Sequence, residues 1–264
     1  MKLTALVENC PAEGFAAAHG LSLYVEYPGR RLLFDLGPDD TLFRNAEKLG
    51  IDLSQVDTVV ISHGHNDHGG ALGAFLQINT RATVYIQRSA FEQHESRSPA
   101  RIRDISLDAS LMDHPQVKLL EGDCRIDDKL FLFTVTDASL CPSTANGNLY
   151  ENGAPDRFLH EQNLLIEGEN PVLLCGCSHN GVLNILKRVE DRKPAAVVGG
   201  FHLYSPAAQK TVAPQLMDEI TAHLRRWPQL KLYTGHCTGQ EACDYLAARL
   251  PGLRYLHGGE SITL

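Results

Sequence analysis

The stretch ISHGHNDHGGAL, residues 61–72, places three histidines and an aspartate within six residues, directly after the apolar run DTVVIS. The run has the pattern of a fully buried strand, and Gly69-Gly70 begins a turn into an apolar helix. The histidines therefore occupy a loop between a strand and a helix, where α/β proteins carry much of their chemistry. A surface loop that binds nothing is the alternative, but these residue types at these offsets favour a metal site.

The spacing of the motif suggests two ions rather than one. His63 and His65 occupy alternate positions and can turn their imidazoles towards one ion. Asp67 and His68 lie on the bend into the helix and face a second. Imidazole with carboxylate suits zinc and related divalent metals, whereas cysteine-rich sets suit closed structural sites. Two ligands are too few for an ion, so the rest of the chain must supply more.

Two later histidines repeat the same local context. His179 in VLLCGCSHNG and His236 in KLYTGHCTG each follow a strand-like run and precede a helix-like one. An isolated histidine is more often a core or surface residue than a ligand. In a chain that already needs metal ligands, the repeated context makes these two the candidates.

Composition limits the classes of protein to which the chain can belong. It has 264 residues, 43% of them apolar, enough to bury a core without disulfides. The net charge of −8 argues against a nucleic-acid-binding protein, which normally displays a basic surface. No apolar run is long enough to span a membrane, and no signal-peptide core follows Met1. We therefore predict a cytoplasmic protein without membrane partners, whose seven cysteines are reduced.

Short β-branched or apolar runs alternate with helix-like segments along the whole chain, which indicates an α/β protein. Strands are predicted at residues 3–8, 21–27, 31–36, 57–62, 82–87, 129–135, 163–168, 172–176, 195–200 and 231–235. Helices are predicted at residues 39–49, 70–76, 181–189, 207–226 and 239–249. No shift in composition marks a boundary, so residues 1–264 are predicted to form one domain. The polar stretches near 89–115 and 136–162 are interpreted as irregular insertions, which act either as lids or binding segments or as flexible surface loops without a function.

The motifs together resemble a known family. The order His-x-His-x-Asp-His after a buried strand, Asp35 upstream in LLFDLG, and the later His179 and His236 resemble the metallo-β-lactamase superfamily over essentially the whole chain. The resemblance implies a four-layer αββα sandwich of mixed sheets with a two-metal site at one edge. Further motifs resemble the 7,8-dihydropterin-6-methyl-4-(β-D-ribofuranosyl)-aminobenzene-5′-phosphate synthase-like branch. These motifs are HGLSL (19–23), HGHNDHGGAL (63–72), GCSHNG (176–181), GGFHL (199–203) and GHCTG (235–239).

The resemblance also implies the ligands of two divalent ions. Zinc is expected first, with Mn²⁺, Fe²⁺ or Mg²⁺ as alternatives. A second carboxylate, Asp35, would brace the ligand loop, as outer carboxylates brace metal-bound imidazoles. Its alternative interpretation is a residue that simply ends a strand. The implied ligands are His63, His65 and His179 for metal one, and Asp67, His68 and His236 for metal two.

The chain departs from the family pattern at one place. Most members carry an aspartate at a strand end between the last two histidines, and this carboxylate bridges both ions. The matching segment here is AAVVGGFHL, in which His202 is the natural occupant of that position, either as a ligand or as a donor that faces the substrate, with a purely structural role as the alternative. Metal two is therefore expected to bind weakly. Cys175, Cys177 and Cys237 flank the proposed ligands and are expected to be small buried residues; as ligands, they would make the site a structural zinc site.

The function implied is hydrolysis of a small ester, lactone or phosphoester by a metal-activated water. Asp67 would orient that water as well as ligate, and His202 would donate a proton to the developing oxyanion or the leaving group. Two alternatives stay open. One is a synthase of methanopterin-type biosynthesis that transfers a dihydropterin onto an arylamine. The other is a ligand-binding or signalling protein with little activity. The expected partner is a small molecule, with a phosphorylated one as an option.

Overall fold

Two seven-stranded β-sheets form the centre of the molecule, and α-helices cover their outer faces. The computed structural model describes residues 1–264. The strands are β1 Lys2–Val7, β2 Ser22–Tyr27, β3 Arg30–Phe34, β4 Thr58–Val60, β5 Thr83–Gln87, β6 His94–Ser98, β7 Arg101–Asp104, β8 Val117–Leu120, β9 Cys124–Arg125, β10 Leu130–Thr134, β11 Leu149–Glu151, β12 Ala154–Pro155, β13 Gln162–Ile166, β14 Val172–Leu174, β15 Ala196–Val198, β16 Tyr204–Ser205, β17 Lys210–Thr211, β18 Lys231–Thr234, β19 Leu253–Tyr255 and β20 Ser261–Thr263. The helices are α1 Thr41–Lys48, α2 Asn66–Gly69, α3 Leu72–Ile78, α4 Val182–Arg188, α5 Pro214–Leu224 and α6 Gln240–Ala247.

Both large sheets are mixed, which confirms the predicted αββα architecture. The first has the strand order β20-β1-β2-β3-β4-β5-β8, and the second β19-β18-β15-β14-β13-β10-β9. Antiparallel hairpins build one side of each sheet, and parallel strands joined by helices build the other. The carboxyl ends of the parallel strands of one sheet meet at a single edge, so residues that follow them can converge.

Three apolar cores separate the four layers. The middle core lies between the sheets and contains Phe34 and Leu132 from opposite sheets. A second core packs the first sheet against α1 and α3, with Phe75 fully buried. The third packs the other sheet against α4, α5 and α6 around Phe133. Because burial on this scale does not require a metal, the fold is expected to persist without one.

The structure corrects two features of the predicted elements. The segment predicted as a helix from residue 207 begins instead at Pro214, and residues 204–211 form the two-stranded ribbon β16–β17. The stretches near 89–115 and 136–162 are irregular only in part, because β6 and β7 of the first and β11 and β12 of the second pair in a four-stranded sheet of order β12-β11-β6-β7. Polar side chains without a buried face left no periodic signal in these short strands.

None of the helices combines the length and the apolar character needed to cross a membrane.

Candidate metal centre

The predicted ligands converge at one edge of the sandwich from strand ends of both sheets. His63 follows β4, His65 precedes α2, and Asp67 and His68 lie within it. His179 follows β14 in the second sheet, and His236 follows β18. All the imidazoles of this set are at most 4% exposed. The structure therefore brings together residues from three distant parts of the chain.

The three imidazoles proposed for metal one form a tight group. The ring centroids of His63 and His65 are 4.6 Å apart. The ring centroid of His179 lies 4.9 Å from that of His63 and 5.0 Å from that of His65. Burial, together with the neighbouring imidazoles, lowers the pKa of His63 and His179 well below the ordinary value. Burial also lowers the pKa of His65 to about 4. At neutral pH these rings are uncharged, which is the form that ligates a metal.

His179 is held in place by two partners that the sequence did not indicate. Its Nδ1 lies 2.9 Å from the Oδ1 of Asn146, whose Nδ2 donates to the His179 carbonyl at 2.9 Å. The backbone N–H of His179 donates to Glu161 at 2.6 Å. Burial raises the pKa of Glu161 to about 7, although N–H donors from His179 and Asn180 favour its carboxylate. This scaffold commits Nδ1 of His179 to Asn146 and leaves Nε2 facing the site.

The set proposed for metal two is equally close. Nε2 of His68 lies 3.2 Å from Nε2 of His236, and Oδ2 of Asp67 lies 3.3 Å from the latter. Nδ1 of His68 lies 2.6 Å from Asp35, which also accepts from the N–H and hydroxyl of Ser62 at 2.7 Å. Asp35 thus occupies the bracing position that the resemblance implied, and the proton of His68 is assigned to Nδ1.

Asp67 is surrounded by imidazoles. Besides His236, His68 and His19 lie 3.8 and 3.6 Å from its Oδ2. Burial opposes ionisation, but these facing rings outweigh it and hold the pKa of Asp67 well below its ordinary range. His19, the first residue of the HGLSL motif, therefore lies at the site. A carboxylate kept ionised among imidazoles is suited to a divalent cation.

The free nitrogen atoms of the site fit divalent ions. Nε2 of His63 and of His179 are buried without a hydrogen-bond partner. Nδ1 of His236 lies 2.9 Å from Oδ1 of Asn9, and Nδ1 of His68 lies 2.6 Å from Asp35. Each Nδ1 therefore carries the proton of its ring. Both Nε2 atoms then present lone pairs to each other at 3.2 Å, an arrangement that needs a cation or a proton between them. Buried polar atoms left unpaired are costly unless a ligand satisfies them.

His202, predicted as the catalytic donor, lies beside this group. Its ring centroid is 4.2 Å from that of His179, and both its ring nitrogens are buried without a partner. The hydroxyl of Ser143 donates to the His202 carbonyl. Asp35, Ser178, His202 and His236 all have positive φ, between 46° and 62°. Non-glycine residues rarely adopt this conformation, and such strain concentrates at functional sites.

A second buried cluster, missed by the sequence analysis, adjoins His65. It consists of His94, Asp156 and His160, whose side chains have no solvent exposure. Oδ2 of Asp156 lies 3.1 Å from His160 Nε2, 3.5 Å from His94 Nδ1 and 3.9 Å from His65 Nε2. Asp156 and His160 come from one polar insertion and His94 from the other. No local motif marks them, because only the pairing of the two insertions brings them together.

The donor atoms of this cluster and of His65 lie within 4.8 Å of one another, and one direct hydrogen bond, between His160 and Asp156 at 3.1 Å, links its members. The backbone N–H of Gly64 donates to Nδ1 of His160 at 3.0 Å, so the proton of that ring is on Nε2 and points at Asp156. Nε2 of His65 has no hydrogen-bond partner and faces the same carboxylate at 3.9 Å, so the nearby negative charge favours the proton of His65 on Nε2. The Nδ1 of His65 is then left for metal one.

Substitution of Asp156 by asparagine is therefore expected to weaken metal binding about 10–100-fold, as loss of an outer partner does at other metal sites. The amide cannot accept from the surrounding imidazoles as a carboxylate does, so His65 loses its preferred tautomer. Competition with a chromophoric chelator measures the affinity, and the exposed Asp128→Asn is the matched control. Equal affinities in the two variants would contradict this role of Asp156.

A cavity of about 440 Å³ opens over the proposed ligands. Its wall includes His19, His202 and Cys177 on the metal side. On the opposite side lie Ser96, Ser98, Arg101 and Arg103 from the hairpin β6–β7. The insertion predicted to be a lid thus forms one wall of the site, and it places positive charge there.

Comparison with known proteins agrees with this architecture. Residues 17–139 match the family model of the metallo-beta-lactamase superfamily. The crystal structure of Tm1679, a metal-dependent hydrolase of the beta-lactamase superfamily, superposes with a TM-score of 0.81 at 27% identity, covering 100% of this chain and 99% of that one.

Two curated relatives come from Methanocaldococcus jannaschii. An uncharacterised protein is 25% identical over 265 residues, covering 98% of both chains. A 7,8-dihydropterin-6-methyl-4-(beta-D-ribofuranosyl)-aminobenzene-5′-phosphate synthase is 26% identical over 276 residues, covering 94% of this chain and 90% of the relative. The family model matches residues 17–139 and the likeness to Tm1679 extends over the whole chain, so the protein is similar to the metallo-beta-lactamase superfamily along its length.

Proposed function

We propose that the protein is a metal-dependent hydrolase of a small anionic ester, with a phosphoester as the preferred class. One observation carries the proposal: two sets of buried donor side chains, with unpartnered Nε2 atoms on His63 and His179, lie beside an open cavity lined by two arginines. His63, His65 and His179 would hold one divalent ion, and Asp67, His68 and His236 the other. When bound, such ions supply Lewis acidity and make a water molecule acidic enough to ionise near neutral pH.

The side chains of the site divide the remaining work. Asp67 stays ionised and can accept a hydrogen bond from the attacking water as well as ligate. His202 has two ring nitrogens without a partner and lines the cavity, so it is placed to donate to the oxygen that gains negative charge or leaves. No serine or cysteine nucleophile is required. Neutral esters and lactones remain within reach of the same chemistry.

The hairpin β6–β7 supports an anionic substrate. Its register pairs Ser96 with Arg103 and Ser98 with Arg101, so these four side chains share the face that lines the cavity. Neither of the two guanidinium groups pairs with a carboxylate of the protein. Two free arginines and two hydroxyls form the donor set that phosphate or carboxylate groups prefer.

The test is metal-dependent turnover of a substrate panel. Chelator-treated protein is assayed with a phosphomonoester, a phosphodiester, a neutral ester and a lactone, before and after addition of Zn²⁺ or Mn²⁺. Turnover should vanish on chelation, return with metal and be highest for an anionic ester. If phosphorylated compounds bind but none is turned over with any metal, the protein is a ligand-binding protein instead.

A dihydropterin-transferring synthase is the second candidate. It is favoured by the 26% identical relative of that name and by a cavity with arginines suited to phosphorylated reactants. In that case the ions would hold a pyrophosphate leaving group. Mg²⁺-dependent condensation of a dihydropterin pyrophosphate with an aminobenzene ribotide separates this candidate from a hydrolase.

Neutralising the two cavity arginines should impair binding of anionic substrates selectively. Hydrogen bonds to charged groups contribute about 1.5–3 kcal/mol each, so the double variant Arg101→Gln, Arg103→Gln should raise KM for a phosphoester about tenfold or more. The kinetics of a neutral ester should change little. Arg97→Gln is the control, because Arg97 points away, pairing with Glu95 at 2.7 Å and stacking on Tyr150. An equal effect of both changes would argue against the subsite.

A further inference from the structure

The place of the missing bridging aspartate is occupied from another loop. Strand β15 ends at Val198 and is followed by two glycines, so no carboxylate can reach the ions from there. The loop after β14, which also carries His179, instead places the thiol of Cys177 among the proposed ligands. Cys177 is 3% exposed and lines the cavity.

The sulfur of Cys177 reaches both sets of ligands. It lies 3.2 Å from Nε2 of His68. Potential donor atoms lie within 4.8 Å of one another in each of three groups that share this sulfur: one with His63 and His68, one with His179 and His202, and one with His236 and Cys237. No other side chain recurs in all three groups.

The pairing of Cys177 with His68 also has the protonation that metal binding requires. Asp35 commits the proton of His68 to Nδ1, so its Nε2 is an acceptor and the Cys177 thiol is the donor. The S–H proton therefore lies between two atoms that can both ligate a cation. A divalent ion can replace that proton, since thiolate is a strong ligand for zinc and related metals.

We propose that Cys177, as a thiolate, ligates both ions and takes the place of the bridging carboxylate. The inference rests on the two-metal centre of the proposed function. When the sulfur–metal bonds form, the S–H bond breaks and its proton passes to solvent. Of the neighbouring cysteines, Cys237 also lines the cavity, but its donor atom groups with Cys177 and His236 and not with the ligands proposed for metal one. The thiol of Cys237 donates to the Cys177 carbonyl oxygen at 3.5 Å, and the Cys175 side chain is buried in the apolar core that packs against α4, α5 and α6.

Cobalt substitution tests the proposal. The full chain is stripped with chelator and loaded with Co²⁺, then metal content and the near-ultraviolet absorption of cobalt–thiolate charge transfer are measured. Wild type should bind two ions and show the charge-transfer band. Cys177→Ser should lose the band and bind less of the second ion, whereas Cys177→Asp should recover two ions without the band. Proton release on loading should fall by one per chain in Cys177→Ser.

Cys175→Ser and Cys237→Ser are the controls and should keep the band. Loss of the band in Cys237→Ser alone would overturn the assignment and make that residue the thiolate ligand. Two bound cobalt ions with no band in wild type would overturn the thiolate ligand but leave the proposed function intact. A wild-type chain that takes up no cobalt would overturn both.

Discussion

Substitution of His68 by alanine should reduce turnover at least about a thousandfold, because Lewis-acid stabilisation is worth several kcal/mol of the barrier. The side chain contacts Asp35, His236 and Cys177 at 2.6, 3.2 and 3.2 Å, so the substitution would remove a proposed ligand of metal two. Metal content measured by elemental analysis should fall in parallel. His63→Ala should have the same effect through metal one.

The fold should survive this substitution. Asp35 still accepts two hydrogen bonds from Ser62, and the three apolar cores do not include the imidazole. We expect the free energy of unfolding to fall by about 1–3 kcal/mol, the usual effect of leaving one buried polar partner unmade. Urea denaturation measures it, with His223→Ala as the control. Global unfolding of His68→Ala, or of the chelated wild type, would show that the ions and not the cores hold the fold.

The second large effect concerns the backbone beneath the site. Gly199→Ala should leave little folded protein. We expect the free energy of unfolding to fall by about 4 kcal/mol or more, out of about 5–15 kcal/mol for a typical protein. An added Cβ at this position would overlap the carbonyl oxygen of Cys175 and lie 2.8 Å from its carbonyl carbon. Gly199 also has φ of 145°, which side-chain-bearing residues rarely adopt. Its N–H donates to Tyr233 at 3.0 Å, so the segment cannot move without breaking the ladder between β15 and β18.

Circular dichroism and urea denaturation of Gly199→Ala measure this loss. Gly168→Ala is the matched control, because nothing lies within 4 Å of its added Cβ and its φ is not positive. A urea midpoint of Gly199→Ala equal to that of wild type would show that the strands can separate to accept the methyl group.

The architecture was predictable because most strands of the two large sheets are buried and therefore appear in the sequence as short apolar or β-branched runs. All ten predicted runs contain a strand, and the resemblance supplied their arrangement in four layers. The prediction that the helix begins at residue 207 was wrong. Alanine and glutamine at 207–209 have helical propensity, but these residues connect the paired strands β16 and β17. The hairpin β6–β7 escaped prediction since its exposed serines and arginines show no alternation of apolar with polar residues.

The candidate site was predictable in part. A local motif identified His63, His65, Asp67 and His68, and repeated strand-end contexts pointed to His179 and His236; their roles as ligands stay predictions. Asp156, His94 and His160 share no motif, and they meet through tertiary pairing alone. Cys177 looked like a small core residue. The residue that follows it, Ser178, has a left-handed backbone, φ 59°, and spacing along the chain does not reveal such a turn.

Because the donors come from the edges of two separate sheets, their mutual distances depend on how the sheets lie against each other. The side chains between the sheets, such as Phe34 and Leu132, fix that relation far from any reacting atom. Sliding of one layer by a fraction of an ångström would misplace His179 and His236 relative to the motif on the facing layer. The apolar core between the sheets therefore sets the distances among the proposed ligands, and substitutions in that core are expected to alter the candidate site without touching it.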